Sequence, residues 1–160
     1  MFGRGGEEIE TLAENGVAFQ VIPGVTAANG CAAYAGIPLT HRDHAQGCIV
    51  VTGHEKDGEL NLNWNSLIQP QQTVVIYMGL TSLAMITRGF VDHGADPATP
   101  AAVIENGTRT GQRVITGTLD TLPDISAAAD IKSPALIIVG NVVTLQDKLS
   151  WFSDTGAPAE

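Results

Sequence analysis

Short apolar runs alternate with amphipathic segments along most of this chain. Five of the runs have the length and apolar content of strands buried in a sheet. Between them lie segments whose apolar residues recur every three or four positions, which is the period of one helix face. This alternation predicts an α/β domain with helices packed on a sheet. The predicted strands cover residues 48–52, 73–78, 101–105, 113–119 and 135–140, and the predicted helices cover residues 82–93, 122–129 and 144–152.

The first forty residues have too few elements to form a domain of their own. A helix is predicted over residues 7–15, with glutamates at its positive end and Gly16 after its last turn. A strand over residues 17–22 follows, and Thr26 can then cap a second helix. One strand and two helices cannot bury both faces of a sheet, so we interpret this part as the end of a domain whose beginning is absent. The predicted domains are residues 1–40, with a linker at their end, residues 41–153, and a frayed tail at 154–160.

The second of these helices is made almost entirely of small residues. Some other part of the structure must therefore approach its backbone closely. One interpretation is tight packing of the helix on a sheet. The other is a ligand lying against the Thr26 end, where unpaired N–H groups face outward, and the two can both hold. The small residues are Ala27, Ala28, Gly30, Cys31, Ala32, Ala33 and Ala35.

Net charge argues against several classes of partner. Eight Lys and Arg residues against seventeen Asp and Glu give a net charge of -9, which opposes binding to nucleic acid and to anionic membranes. It also opposes a polyanionic small substrate, unless the few basic residues are gathered in one cleft. No apolar run approaches the roughly 20 residues that span a bilayer. The first residues lack the features of a secretory signal, so we expect a cytoplasmic protein.

Candidate chemistry is sparse in the sequence. Cys31 and Cys48 are interpreted as buried hydrophobic residues, because they have no disulfide or zinc spacing and lie in apolar surroundings that raise a thiol pKa. His41 and His44 flank Asp43, but a third clear metal ligand is missing, so we predict no metal site. Arg42 could instead hold a carboxylate, with His41 as a nearby donor, or it could simply be solvated.

Two predicted strands end in glycine-containing loops, which is where α/β sheets usually bind ligands. These ends are Tyr77-Met78-Gly79 and Glu105-Asn106-Gly107-Thr108. Residues 3–6, which are rich in glycine, are interpreted as a turn into the first helix rather than as a phosphate cradle, because no strand precedes them. A nicotinamide-dependent enzyme is disfavoured, since no strand leads into GxGxxG. Composition and spacing alone thus reach a ligand-binding α/β fold.

Seven motifs occur in this order along the chain: FGRGGEE, VIPGVTAANGCAAYAGIPLTHRD, VTGHEKDGEL, YMGL, ENGT, SPALIIVGNVV and DKLSWF. Together they resemble the uroporphyrinogen-III C-methyltransferases of the tetrapyrrole methylase family. The resemblance implies two α/β domains with S-adenosylmethionine bound between them, a homodimer, and two methyl transfers that convert uroporphyrinogen III to precorrin-2 by way of precorrin-1, for sirohaem or cobalamin. The fold expected for this chain is the C-terminal α/β domain, with a helix-strand-helix remnant of the N-terminal domain.

The resemblance also assigns residues. It implies cofactor contacts at Thr26, Ala27, Met78 and Gly107, and weaker substrate contacts at Arg4, His41 and Arg42. Roughly the first hundred residues of the family enzyme, which hold its catalytic groups, have no counterpart in this sequence. We therefore expect no catalytic residue in this chain and no activity from it alone. The alternative is a noncatalytic cofactor-binding or dimerisation fragment of the same fold.

Overall fold

The computed structural model describes residues 1–54 and 60–153. A 3-10 helix covers Asn141–Leu145. The strands are β1 (Gly47–Thr52), β2 (Gln72–Tyr77), β3 (Pro100–Glu105), β4 (Arg113–Thr118) and β5 (Ala135–Val139). The helices are α1 (Gly5–Glu14), α2 (Ala27–Ala35), α3 (Trp64–Leu67), α4 (Leu83–Asp92), α5 (Leu122–Ala128) and α6 (Gln146–Leu149).

The five strands form one mixed sheet in the order β1-β2-β5-β3-β4. β1 and β2 are parallel, and β5 runs antiparallel to both β2 and β3. It follows that β1, β2 and β3 all point in the same direction, while β4 and β5 point in the opposite one. The carboxyl ends of β1, β2 and β3 therefore meet at one edge of the sheet, which we call the carboxyl edge.

Helices cover both faces of this sheet. On one face, the small residues of α2 and the 3-10 helix pack against β2, β3 and β5. On the other face, α3, α4 and α5 pack against the alternate residues of the same strands. β2 is almost wholly buried, which agrees with its continuous apolar sequence. The expected α/β fold and the tight packing of the second helix are thus confirmed.

Two predicted elements are wrong. The strand predicted over residues 17–22 does not form, and Ile22 is 83% exposed. A strand needs a neighbour that pairs its backbone groups, and none of the five described strands lies beside this segment. The helix predicted over residues 144–152 is instead a 3-10 helix followed by one turn that ends at Leu149. The β-branched residues before that turn disfavour a continuous α-helix.

The other predicted elements are confirmed with small shifts of their ends, and α3 is an addition that the sequence pattern did not indicate. The tail at 154–160 lies outside the described residues, as do residues 55–59 of the VTGHEKDGEL motif. The domain division at residue 40 stays a prediction. In the described parts of the chain, no helix is long and apolar enough to cross a membrane.

Gly36 allows α2 to end against α6. Its φ of 71° is left-handed, the conformation that glycine adopts most readily. A Cβ at this position would lie 2.4 Å from the carbonyl oxygen of Leu149, a backbone atom that cannot turn away. The contact holds the C-terminal end of α2 against α6 and so helps to set the position of the whole helix.

We expect Gly36→Ala to destabilise the protein more than Gly111→Ala does. Gly111 also has a left-handed φ, 82°, but open space around it, so its substitution costs only the backbone strain of about 1–2 kcal/mol. At Gly36 the overlap with Leu149 adds about 1–3 kcal/mol. Urea unfolding of both variants measures the difference. Equal losses would contradict the close contact at Gly36.

Candidate functional site

A cavity of about 630 Å³ opens at the carboxyl edge of the sheet. It lies where α/β folds usually bind ligands, and its volume is within the range of small-molecule sites. Each of the strands β1, β2 and β3 contributes its end or the loop that follows it, and β5 contributes its start. The main lining residues are Ala27 and Cys31 from α2, His54, Tyr77, Met78, Asn106, Gly107, Arg109 and Pro134.

Three of the four residues assigned to a cofactor lie together at this cavity. Ala27, Met78 and Gly107 all line it, although they are far apart in the sequence. Thr26 precedes Ala27 and is hydrogen-bonded to Tyr77, another lining residue. The structure therefore brings the four residues to one place. Their contact with a cofactor stays a prediction.

The N-terminus of α2 is held by the sheet rather than by its own first residue. Thr26 occupies the N-cap position, but its hydroxyl makes no capping bond to the helix. Instead, the Ala28 N–H donates to the Tyr77 hydroxyl oxygen at 2.6 Å, and the hydroxyl groups of Thr26 and Tyr77 are also 2.6 Å apart. Tyr77 thus caps α2, a role that the sequence analysis missed. The available signal was a residue with a polar tip ending an apolar strand.

The loops around the cavity are tightly constrained. Met78, Asn106 and Thr108 have φ values of 53°, 49° and 70°, a left-handed conformation that costs a non-glycine residue about 1–2 kcal/mol. Such strain clusters at functional sites in folded proteins. Gly107 touches α2 so closely that a Cβ would lie 2.3 Å from the sulfur of Cys31. Only glycine fits at this point of the cavity wall.

The cavity wall carries positive charge and no carboxylate among the described residues. His54 and Arg109 are its basic side chains. Arg109 is exposed, and it forms no salt bridge within residues 1–54 and 60–153. Sequence analysis did not single out either residue. The signal for Arg109 was its place just after the Asn106-Gly107 loop.

The residues assigned to substrate carboxylates lie apart from one another. Arg4 is exposed at the start of α1, with its Nε 4.0 Å from the Glu7 carboxylate. Phe2, two residues earlier, packs its ring 5.1 Å from that of Tyr77, so Arg4 is on the cavity side. His41 and Arg42 precede β1 and lie at the opposite edge of the sheet. A six-residue strand, about 17–20 Å, separates them from the carboxyl edge.

A buried carboxylate holds the loop before β5. Glu105 is 3% exposed and accepts hydrogen bonds from Arg113 Nε and, at 2.8 Å, from the Lys132 N–H. Arg113 also donates to the carbonyl oxygens of Ala129 and Asp130. The hydrogen bond from Arg113 is the largest influence on the Glu105 carboxyl and, with the Lys132 amide, lowers its pKa although burial acts against it. This network fixes the loop that leads to Pro134 in the cavity wall.

Cys31 is buried in the core, as expected, whereas Cys48 is only partly buried and packs against the same core. Burial raises the pKa of both the Cys31 and the Cys48 thiol, and both are free. The apolar surroundings inferred from the sequence are confirmed, and such thiols are poor nucleophiles. Over residues 1–54 and 60–153, no three His, Cys, Asp or Glu side chains are grouped as metal ligands would be. The features of the cavity that could recognise a ligand are therefore its shape, its charge and its hydrogen-bond donors.

The fold is that of an α/β domain with a cavity at the carboxyl edge of its sheet. The model of the tetrapyrrole (corrin/porphyrin) methylases matches residues 1–123, more than half of the chain. The chain therefore belongs to the tetrapyrrole methylase family. This result confirms the family that the motifs indicated.

Curated relatives of the chain are much longer than it is. The siroheme synthase of Nitrosomonas europaea is 57% identical over 99% of this chain, and that of Methylobacillus flagellatus is 60% identical over 96%. In each case the match covers 33% of the relative. The chain thus spans about a third of the length of these curated relatives.

Solved structures agree with the fold. The uroporphyrin-III C-methyl transferase of Thermus thermophilus in complex with S-adenosyl homocysteine is 32% identical, with a TM-score of 0.76. The match covers 91% of this chain and 63% of that one. A cobalt precorrin-4 methyltransferase has a TM-score of 0.79 at 24% identity, covering 89% of this chain and 60% of the other, and supports the fold alone.

Glu105→Gln should lower stability at neutral pH and remove part of its pH dependence. The carboxylate's hydrogen bonds contribute about 1.5–3 kcal/mol. Because its folded-state pKa is lowered, this contribution is present above the unfolded pKa of about 4.3 and is lost as pH falls through the folded value. Urea unfolding from pH 7 to pH 3 should show the wild type and the variant converging in acid. Asp120→Asn, an exposed carboxylate change, is the control, and a constant difference across pH would contradict the role of Glu105.

Proposed function

We propose that the protein carrying this chain is an S-adenosylmethionine-dependent methyltransferase that methylates carbon atoms of uroporphyrinogen III, giving precorrin-2 by way of precorrin-1. The observation that carries the proposal is the convergence of Ala27, Met78 and Gly107 on one cavity. These are residues that the family resemblance assigns to the cofactor. The similarity to a transferase that holds S-adenosyl homocysteine supports the same assignment.

The cavity has the features that such a cofactor needs. It is mainly apolar, and the start of α2 faces it with N–H groups that can donate to acceptor atoms. When bound, S-adenosylmethionine supplies a methyl group on a sulfonium, which a nucleophilic pyrrole carbon takes as the carbon–sulfur bond breaks and the ring then loses a proton. The residues of this chain bind and orient the cofactor, so that the carbon, methyl and sulfur are aligned.

The substrate's carboxylates favour the basic side of the cavity. Uroporphyrinogen III carries eight carboxylate arms, and the chain as a whole has a net charge of -9. Arg109 and His54 place donors at the cavity, and the planar guanidinium of arginine pairs well with a carboxylate. We propose Arg109 as the carboxylate contact nearest the cofactor. Arg4 lies on the same side of the protein as the cavity. Contacts with His41 and Arg42 would need a substrate that reaches the opposite edge of the sheet.

Catalysis by this chain alone is not part of the proposal. The cofactor contacts named above supply binding and orientation, and the groups that remove the proton are not assigned to any residue of this chain. A homodimer and a cytoplasmic location remain proposals from the resemblance. The choice between sirohaem and cobalamin supply is open, and the siroheme synthases among the relatives favour sirohaem.

Met78→Glu should weaken S-adenosylhomocysteine binding at least about tenfold, which is about 1.4 kcal/mol. Calorimetric titration of the chain measures it, with the Thermus thermophilus transferase as positive control. Met85→Glu is the matched variant, because Met85 is 44% exposed against 50% for Met78 and does not line the cavity. Absence of binding by the wild-type chain would refute binding by this cavity without the rest of the family enzyme, and equal affinities of the two variants would remove Met78 from the site.

Arg109→Gln should weaken the binding of uroporphyrin III about tenfold, through the loss of a charge-assisted hydrogen bond. This fluorescent, oxidised form of the proposed substrate keeps the eight carboxylates, and its binding can be followed without turnover. Arg42→Gln is the comparison, because it removes the same charge at the opposite edge of the sheet. If Arg42→Gln weakens the binding of uroporphyrin III and Arg109→Gln does not, the tetrapyrrole binds away from the cavity, at the Arg42 contact that the resemblance implies.

A further inference from the structure

The Tyr77 hydroxyl joins the sheet to the first residues of α2 at the cavity. It accepts from the Ala28 N–H and is hydrogen-bonded to the Thr26 hydroxyl, both at 2.6 Å. These residues are about fifty positions away in the chain, so the contact is tertiary and not a local turn. The same tyrosine lines the cavity, and its ring is packed against that of Phe2.

The protons of this cluster can be counted. Thr26 and Tyr77 have one hydroxyl proton each, and the bond between them uses one. The Ala28 N–H occupies a lone pair of the Tyr77 oxygen. One hydroxyl proton is therefore left for another acceptor. That proton is on Thr26 if Tyr77 donates to it, and on Tyr77 in the reverse case. The Ala27 N–H is not used by any described hydrogen bond either, so Tyr77 and the start of α2 together keep two donors beside the cavity.

We propose that Tyr77 is the positioning residue of the cofactor site. Its hydroxyl accepts from the Ala28 N–H and donates to Thr26, which leaves the Thr26 hydroxyl proton and the Ala27 N–H to meet an acceptor group of the cofactor. This inference rests on the proposed function. Tyr77 then acts by holding Thr26 in place, and it makes no contact of its own with the cofactor. It also explains why Thr26 makes no capping bond: the tyrosine satisfies the helix N–H, and the threonine hydroxyl is turned to Tyr77.

Two single variants test the contributions of the Tyr77 and Thr26 hydroxyl groups separately. Tyr77→Phe keeps the ring contact with Phe2 and removes the bond to Ala28. Thr26→Val removes the other hydroxyl and leaves the Ala28 bond in place. Tyr34→Phe is the matched control, since it deletes a tyrosine hydroxyl beside the C-terminal end of α2, where Tyr34 packs on Trp151 and Phe152.

Calorimetric titration of the 160-residue chain with S-adenosylhomocysteine gives the first test. We expect Tyr77→Phe and Thr26→Val each to weaken binding about tenfold, and the double variant to be no more than about twofold weaker than the worse single one, because both act at one point. Thr26→Ser should bind more tightly than Thr26→Val, because it keeps the hydroxyl, and Tyr34→Phe should keep wild-type affinity. Additive losses, or an unchanged Kd for Tyr77→Phe, would overturn the proposal.

Amide hydrogen exchange gives a test that needs no ligand. The Ala28 amide should exchange faster in Tyr77→Phe but not in Thr26→Val, while the buried Val75 amide of β2 is unchanged in both. An unchanged Ala28 amide in Tyr77→Phe would refute the positioning role. If the wild-type chain does not bind S-adenosylhomocysteine, binding by this cavity on its own fails, and the exchange of the Ala28 amide then decides the role of Tyr77. If it binds and Tyr77→Phe binds equally well, only the role of Tyr77 fails.

Discussion

The close contact between α2 and the sheet is the constraint on which the cavity depends. The buried face of α2 consists of Ala28, Cys31, Ala32 and Ala35, so that only small side chains lie between the helix and the strands. At one end Gly36 passes against the backbone of α6, and in the middle Gly107 touches Cys31. At the other end Tyr77 holds the helix start by hydrogen bonds. A larger side chain at any of these contacts would move α2 and change the cavity.

A charge network stabilises the carboxyl edge of the sheet on the side away from α2. Glu105 ends β3, and its bonds to Arg113 and to the Lys132 amide hold the loop that leads into β5. That loop supplies the Pro134 wall of the cavity. The strained backbone at Met78 and Asn106 lies between these two anchors. Strain of this kind persists only where the surroundings fix the chain, and the packing of α2 and the charge network provide that fixation.

The sequence was informative where structure is encoded locally. The five strands could be predicted because buried strands are short apolar runs, and the small residues of α2 indicated close packing. The segment at 17–22 has the composition of a strand, but composition does not contain the neighbour that a strand must pair with. The polar tip of Tyr77 at the end of an apolar strand indicates a hydrogen bond but not its partner. The bond to Thr26 could not be predicted, since it joins residues 51 positions apart. The motifs identified Ala27, Met78 and Gly107, but not Arg109, which the fold brings to the same cavity.

The pairing of Glu105 also settles an electrostatic difficulty. A chain with a net charge of -9 repels an anionic substrate, and Glu105 directly precedes Asn106 in the cavity wall. Physiological salt screens charge interactions mainly beyond about 8–10 Å, so an unpaired carboxylate at this position would repel an anionic ligand in the cavity. Glu105 is instead buried and compensated by Arg113, and Asp130 in the adjoining loop is paired with Lys132. Among the residues that the structure describes, Arg109 is the charged group that lines the cavity without a salt bridge. An acidic chain can thus present a basic group at this site.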